Sequence, residues 1–191
     1  MAKIKGLKLT ESEVSQTVDL NELFGANFTG NSGLAQAIGQ AMVDKILERT
    51  SKGIGVDGKN LKKFSAKSAY SEEYKDSLEF KAFGKSNSKV NMELTGQMLG
   101  TMDILEQSRG KIKIGWNDDV ENAKAYNHNE GITVPKRRFF GLNDSELKEI
   151  KSEFIDRVRE ETKNLQSEKD SIINEIIGRI SRNTFNFGGD E

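Results

Sequence analysis

Met102-Asp-Ile-Leu-Glu-Gln-Ser-Arg-Gly-Lys-Ile-Lys-Ile-Gly-Trp116 places Met102 and Ile104 on one side of a turn-forming Gln107-Ser-Arg-Gly110, and Ile112, Ile114 and Trp116 on the other. Alternation at period two around a short glycine-bearing turn predicts a β-hairpin with one buried face. Such a face needs a cover, and the flanking sequence offers helices to supply it. Before the hairpin, the run from Asn31 or Ser32 to Lys52 carries Leu34, Ile38, Ala41, Met42 and Ile46 at helical spacing, with Gly53 placed to stop it. After it, Asn143 or Asp144 can cap a long helix in which Leu147, Ile150, Phe154, Val158 and Leu165 fall three, four and seven residues apart. The expected fold is α+β: a small antiparallel sheet packed by an N-terminal helix and a long C-terminal helix, with extended terminal arms.

The remaining segments are weaker. Residues 1–30 hold scattered Ile4, Leu7, Leu9, Val14, Val18, Leu20, Leu23 and Phe24, and read as an irregular or weakly helical arm ahead of a core spanning residues 31–158. Residues 53–68, with Gly53, Gly55 and Gly58 among Lys and Ser, read as a mobile loop that orders on assembly. Tyr70, Tyr74 and Leu78 recur every four residues, as in a short helix leading to Phe80 and Phe83. Val90-Asn-Met-Glu-Leu94 alternates like a strand entering a glycine turn. Residues 159–191 form an extension of the last helix and a tail. Its stretch from Arg159 to Ser171 has one strong apolar residue, Leu165, before Ile172, Ile173, Ile176, Ile177 and Ile180, so the helix either breaks near Asn164 or spans solvent as a rod and re-docks. The end, Asn183-Thr-Phe-Asn-Phe-Gly-Gly-Asp-Glu191, reads as a tail that docks on a neighbouring subunit through Phe185 and Phe187, with simple fraying as the alternative.

Composition narrows the function. In 191 residues, 29 Lys and Arg nearly balance 30 Asp and Glu, so no global positive field holds a nucleic-acid backbone and DNA contact falls to local patches. Hydrophobic residues at 35% beside 31% charged residues suit solvated helix faces and segments that order against partners. Cysteine is absent, which removes disulfides, thiolate nucleophiles and cysteine zinc sites and fits a cytosolic product. No apolar run has signal-peptide or membrane-span length, so no export by that route and no membrane partner is expected.

Catalytic chemistry finds little purchase. The single histidine, His128, sits in Tyr126-Asn-His-Asn-Glu-Gly131 with Asp118 and Asp119 upstream. A metal site or a histidine-dependent nuclease needs several ligands, or a base with an orienting partner, so His128 is read as structural. Gly58-Lys59-Asn60 lacks the hydroxyl that a phosphate-binding loop places on its metal. Pro135-Lys-Arg-Arg138 could grip phosphate, but Phe139, Phe140, Gly141 and Leu142 follow directly, and subunit or helix contacts are the preferred reading. No enzyme activity, catalytic residue, metal or cofactor is expected.

Three segments in order resemble one known family. Leu94-Thr-Gly-Gln-Met-Leu99, Ala123-Lys-Ala-Tyr-Asn-His-Asn-Glu-Gly131 and Val134-Pro-Lys-Arg-Arg-Phe-Phe-Gly-Leu142 are similar to segments of the virion-morphogenesis family of Mu-like phages, which includes tail-completion proteins. The resemblance spans about residues 68–150. It implies an α+β ring subunit of a tailed-phage virion, at the head–tail neck or proximal tail end, assembled in the host cytoplasm. Implied partners are copies of itself, as a hexamer or alternatively a dodecamer, with connector or portal-side and tail-tube proteins and non-specific DNA contact in the channel. Tyr126, His128, Arg137, Arg138, Phe139, Phe140, Phe185 and Phe187 are then candidates for structural or interface roles, with Phe139 anchoring the last helix and the arginine facing outward. The rival function is a DNA- or scaffold-binding assembly factor using Lys59, Lys62, Lys63, Lys67 and the Arg137/Arg138 cluster.

Overall fold

The structure, a computed structural model, describes residues 4–25, 28, 32–85, 90–92, 96–108 and 110–185, with side chains described as far as residue 179. The chain opens with β1 (Leu7–Thr10), β2 (Glu13–Asp19) and the short α1 (Leu20–Phe24). Then come α2 (Ser32–Ser51), α3 (Glu72–Asp76), α4 (Leu78–Ala82) and α5 (Gln97–Gly100). The expected hairpin is β3 (Asp103–Ser108) with β4 (Lys111–Gly115), followed by α6 (Asp119–Glu130) and α7 (Asp144–Phe185). The chain is α+β.

The strands form one antiparallel sheet in the order β1-β2-β4-β3. Ile104 faces Ile114 across the hairpin, and the register slips by one residue after Ile104. A second hairpin, β1–β2, lies along the other edge of β4 and pairs Gln16 with Ile114 and Val18 with Ile112. The irregular arm expected over residues 1–30 is therefore corrected: residues 7–19 supply half the sheet, and Val14 and Val18 are in the common core. The signal was masked by one residue. The inward positions of β2 read Val14, Gln16, Val18, and Gln16 is fully buried. Its Nε2 donates to Lys5 O at 2.9 Å and Leu142 O at 3.3 Å, while its Oε1 accepts from Leu142 N at 2.7 Å. A buried amide satisfied in this way behaves as a core residue that pattern reading counts as solvent-facing.

Helix α2 crosses β3 and β4 with Leu34, Ile38, Met42 and Ile46 buried, as the spacing predicts. Gly39 lies at the closest approach, where a Cβ would sit 2.5 Å from Ile104 Cδ1. Residues 53–68 are a loop, but its stem is pinned: Ile54 bridges Asn60, Val56 N donates to Arg138 O at 2.8 Å, and Val56 and Leu61 are buried. Ordering by a partner is not what shapes that stem. The strand expected over Val90–Leu94 is absent at residues 90–92, and residues 93–95 lie outside the described residues.

Helix α7 starts as its sequence asks. Asn143 Oδ1 accepts from Ser145 N and Glu146 N, both at 3.0 Å, and Glu146 Oε2 accepts from Asn143 N at 2.9 Å, a capping box. Ile150, Phe154 and Val158 are buried against the core. From there the helix runs on unbroken to Phe185, with no break at Asn164. Ile172, Ile173, Ile176 and Ile177 are all more than half exposed, so no re-docking occurs among the described side chains.

Candidate functional site

The segment between α6 and α7 organises the site. Helix α6 ends at Gly131, in the left-handed region at φ 73°, where a Cβ would lie 2.7 Å from the Lys136 backbone. Only glycine lets the chain reverse so tightly. Residues 132–138 then return alongside α6, with Arg137 N donating to His128 O at 2.7 Å. Phe139 and Phe140 enter the core beside Trp116, at ring separations of 6.1 and 4.9 Å, and both are fully buried. Phe140 N also donates to Asn129 Oδ1 at 3.3 Å. Phe139 is thus a core residue packed against Trp116.

A second arginine holds this turn from the opposite side. Arg49, in the last turn of α2, donates to Phe139 O at 2.6 Å and Gly141 O at 2.9 Å and forms a buried ion pair with Glu146. Glu146 therefore caps α7 with one oxygen and pairs with Arg49 through the other. Sequence reading missed Arg49, Glu146 and Gln16, because each lies in a polar context and is drawn inside by partners about 90 to 130 residues away. A buried capping carboxylate was signalled only by the Asn143-to-Glu146 spacing.

Arg137 corrects an expectation. It turns inward, 5% exposed, and does not face outward as the sequence reading had the arginine of this segment do. Its Nε donates to Lys62 O at 3.0 Å and Nη2 to Ala69 O at 3.3 Å, and its guanidinium lies 5.7 Å from the Tyr70 ring centroid. Arg138 is half-buried beside the stem of the 53–68 loop. Tyr126 is half-buried against the core. Phe187 lies outside the described residues, as does the side chain of Phe185.

Arg137 and His128 line a cavity of about 440 Å³, within the usual range for ligand pockets. Tyr70, Tyr74, Met92 and Met98 supply its apolar wall. Tyr70, Tyr74 and Phe80 form a mutual cluster with ring centroids 5.4 to 5.6 Å apart. Lys85 and Lys124 stand at the cavity, with Lys85 Nζ 5.2 Å from the Tyr70 ring centroid. His128 Nδ1 lies 3.5 Å from Arg137 Nη1, which can only donate, so Nδ1 accepts and the ring is neutral. Burial first, and the Arg137 charge second, push its pKa down to about 4. Burial also lowers the Arg137 pKa and raises those of Tyr70 and Tyr74. Glu121 is buried, with Oε1 accepting from Lys124 at 2.8 Å and Oε2 lacking a partner among the described residues.

Such a cavity suits an anion held beside aromatic rings. Among the described residues, no hydroxyl or carboxylate hydrogen-bonds the His128 ring to orient it as a base, and no three His, Asp or Glu side chains converge as metal ligands. Among the described residues no helix is long and apolar enough to cross a membrane. Comparison with protein-family models, with curated proteins and with solved structures finds no significant match.

Proposed function

We propose that this chain is a structural subunit of a tailed-phage particle, assembling with copies of itself and with neighbouring virion proteins in the neck or at the proximal end of the tail. The observation that carries this reading is α7. Among the described side chains of this 42-residue helix, Val158 is the last buried one, and the helix then continues about 40 Å with four isoleucines in solvent. Ile172, Ile173, Ile176 and Ile177 fall within one side of the helix, an apolar stripe that the subunit itself leaves uncovered. A helix of this kind gains its stability by packing. The three-segment resemblance names the setting, and the α+β core fits what it implies. Ring closure through unlike surfaces is the assembly mode that such a protruding arm suits.

Electron microscopy of particles made by a phage with a stop codon in this gene tests the setting. Filled heads and finished tails lying unjoined, or tails with malformed ends, are expected. Normally joined particles would overturn the neck reading.

One observation favours a second reading, a DNA-binding assembly factor. Lys59, Lys62, Lys63 and Lys67 are all exposed on a single loop. Duplex DNA affinity that falls with log salt at about 0.9 per phosphate contacted would support it. Absence of binding at low salt would reject it.

A further inference from the structure

We propose that the exposed stretch of α7 packs with the same stretch of at least two other copies, in a parallel bundle of three or more arms. The proposal rests on the self-assembling reading and adds how many copies meet through this surface and in which direction their arms run.

The width of the stripe decides the number. At 3.6 residues per turn, Ile172, Ile176, Ile173 and Ile177 lie in that order around the helix, at about 0°, 40°, 100° and 140°. Each is more than half exposed. A two-stranded seam buries two neighbouring rows, about 50° apart, and leaves the positions on either side to polar residues. Ile173 and Ile176 match such rows. Ile172 and Ile177 then stand on the two flanks, where a single partner helix leaves them largely in water. A second neighbour covers the other flank, so each arm needs two and the smallest closed set is three. The residue type agrees, because isoleucine in both seam rows shifts helices from pairs to trimers and tetramers. Size argues the same way: four half-exposed isoleucines on two turns offer one partner well under the roughly 800 Å² per side of a stable two-body interface.

Direction follows from the flanks. In parallel helices the flank on one side of the seam meets the opposite flank of the neighbour, five residues farther along. Ile172 and Ile177 are five residues apart on opposite flanks, so every seam of a parallel bundle sets Ile172 of one arm against Ile177 of the next. The flanks are unlike surfaces, and repeating the same contact closes the set cyclically. Charge suits copies of one chain. Residues 159–179 carry four Lys or Arg and five Asp or Glu, so like arms do not repel and a strongly charged partner is not favoured. Ile172 lies about 21 Å beyond Val158 on an unbroken helix, which leaves the stripe clear of its own core.

Sedimentation equilibrium of the full chain should show reversible association in which the largest species holds three copies or more. Ile172→Gln with Ile177→Gln removes the flanks and keeps the central rows. It should lower that species to a dimer or a monomer, with circular dichroism and thermal melting unchanged. Direction is read with Gln166→Cys, one heptad before Ile173. The chain has no cysteine of its own, so a disulfide can form only between copies. Parallel arms bring these thiols together, whereas antiparallel arms with their stripes in register hold them about 25 Å apart along the axis. Ready crosslinking under mild oxidation is expected, lost when Ile173→Gln and Ile176→Gln are added. A chain that stays monomeric, its stripe then belonging to a different partner, would overturn the proposal, as would a dimer as the largest species. An oligomer unmoved by the flank changes, or one that forms without the crosslink, would overturn it too. Monomeric protein alongside unjoined heads and tails in the stop-codon phage would remove the bundle and leave the neck reading in place. The bundle as expected alongside normally joined particles would keep the contact and remove the neck reading.

Discussion

Phe139 has no exposed surface and meets Trp116 edge-on, so Phe139→Ala should cost about 3 to 5 kcal/mol, read from the midpoint of urea denaturation. An unchanged midpoint would show that the ring contributes little to the core. His128 gives a pH signature. Its folded pKa of about 4 lies below the 6.5 of the unfolded chain, so between these values the unfolded state takes up a proton that the folded state refuses. The stability is fully present above pH 6.5 and declines as pH falls toward 4, by an amount on the order of 2 to 3 kcal/mol. His128→Gln should flatten that decline in denaturation curves measured from pH 7 to 4.5. Glu13 acts elsewhere: hydrogen bonds from Lys8, Ser15 and Lys113 hold its pKa at about 2. Its contribution is present above pH 4.5 and is lost as pH falls toward 2, so it adds little to a decline above 4.5.

At the scale of elements, the junction of α2 and α7 rests on Arg49 and Glu146, whose side chains are only 9% and 11% exposed. Removing one partner strands a buried charge, and Glu146→Ala should cost about 3 to 5 kcal/mol. The double replacement Arg49→Met with Glu146→Met should be less damaging than either single change, a comparison that a double-mutant cycle makes directly. These pairings also explain what sequence could and could not disclose. The β3–β4 hairpin, α2 and the start of α7 were legible because their core positions are apolar at regular spacing. The β1–β2 hairpin was not, because Gln16 occupies its central inward position and earns its place through Leu142, 126 residues away. Arg137 misled for a related reason: an arginine beside a lysine and another arginine looks solvated, and only the fold reveals the carbonyls of Lys62 and Ala69 that take it inside. The cavity draws its walls from residues between 64 and 137, so no local pattern could announce it.

For the whole molecule, the exposed isoleucines allow folding to be tested apart from the proposed assembly. Ile173→Gln with Ile176→Gln keeps good helix formers on a surface that is more than half exposed. Thermal melting of the subunit should be unchanged, while sedimentation should show self-association weakened at least tenfold. Equal association in both proteins would mean that copies meet elsewhere. The placement of the Arg49–Glu146 pair gives the arm a further property. Only the base of α7 is braced, and the pair sits in its first turn, so the far end is a pointer set by a joint at its root. A tilt of a few degrees at residue 146 would sweep the tip through several ångströms, enough to decide whether successive pointers converge on a closed circle or spiral away. In the proposed assembly, the bearing of each arm would then be fixed in the core at its root and not along its exposed length.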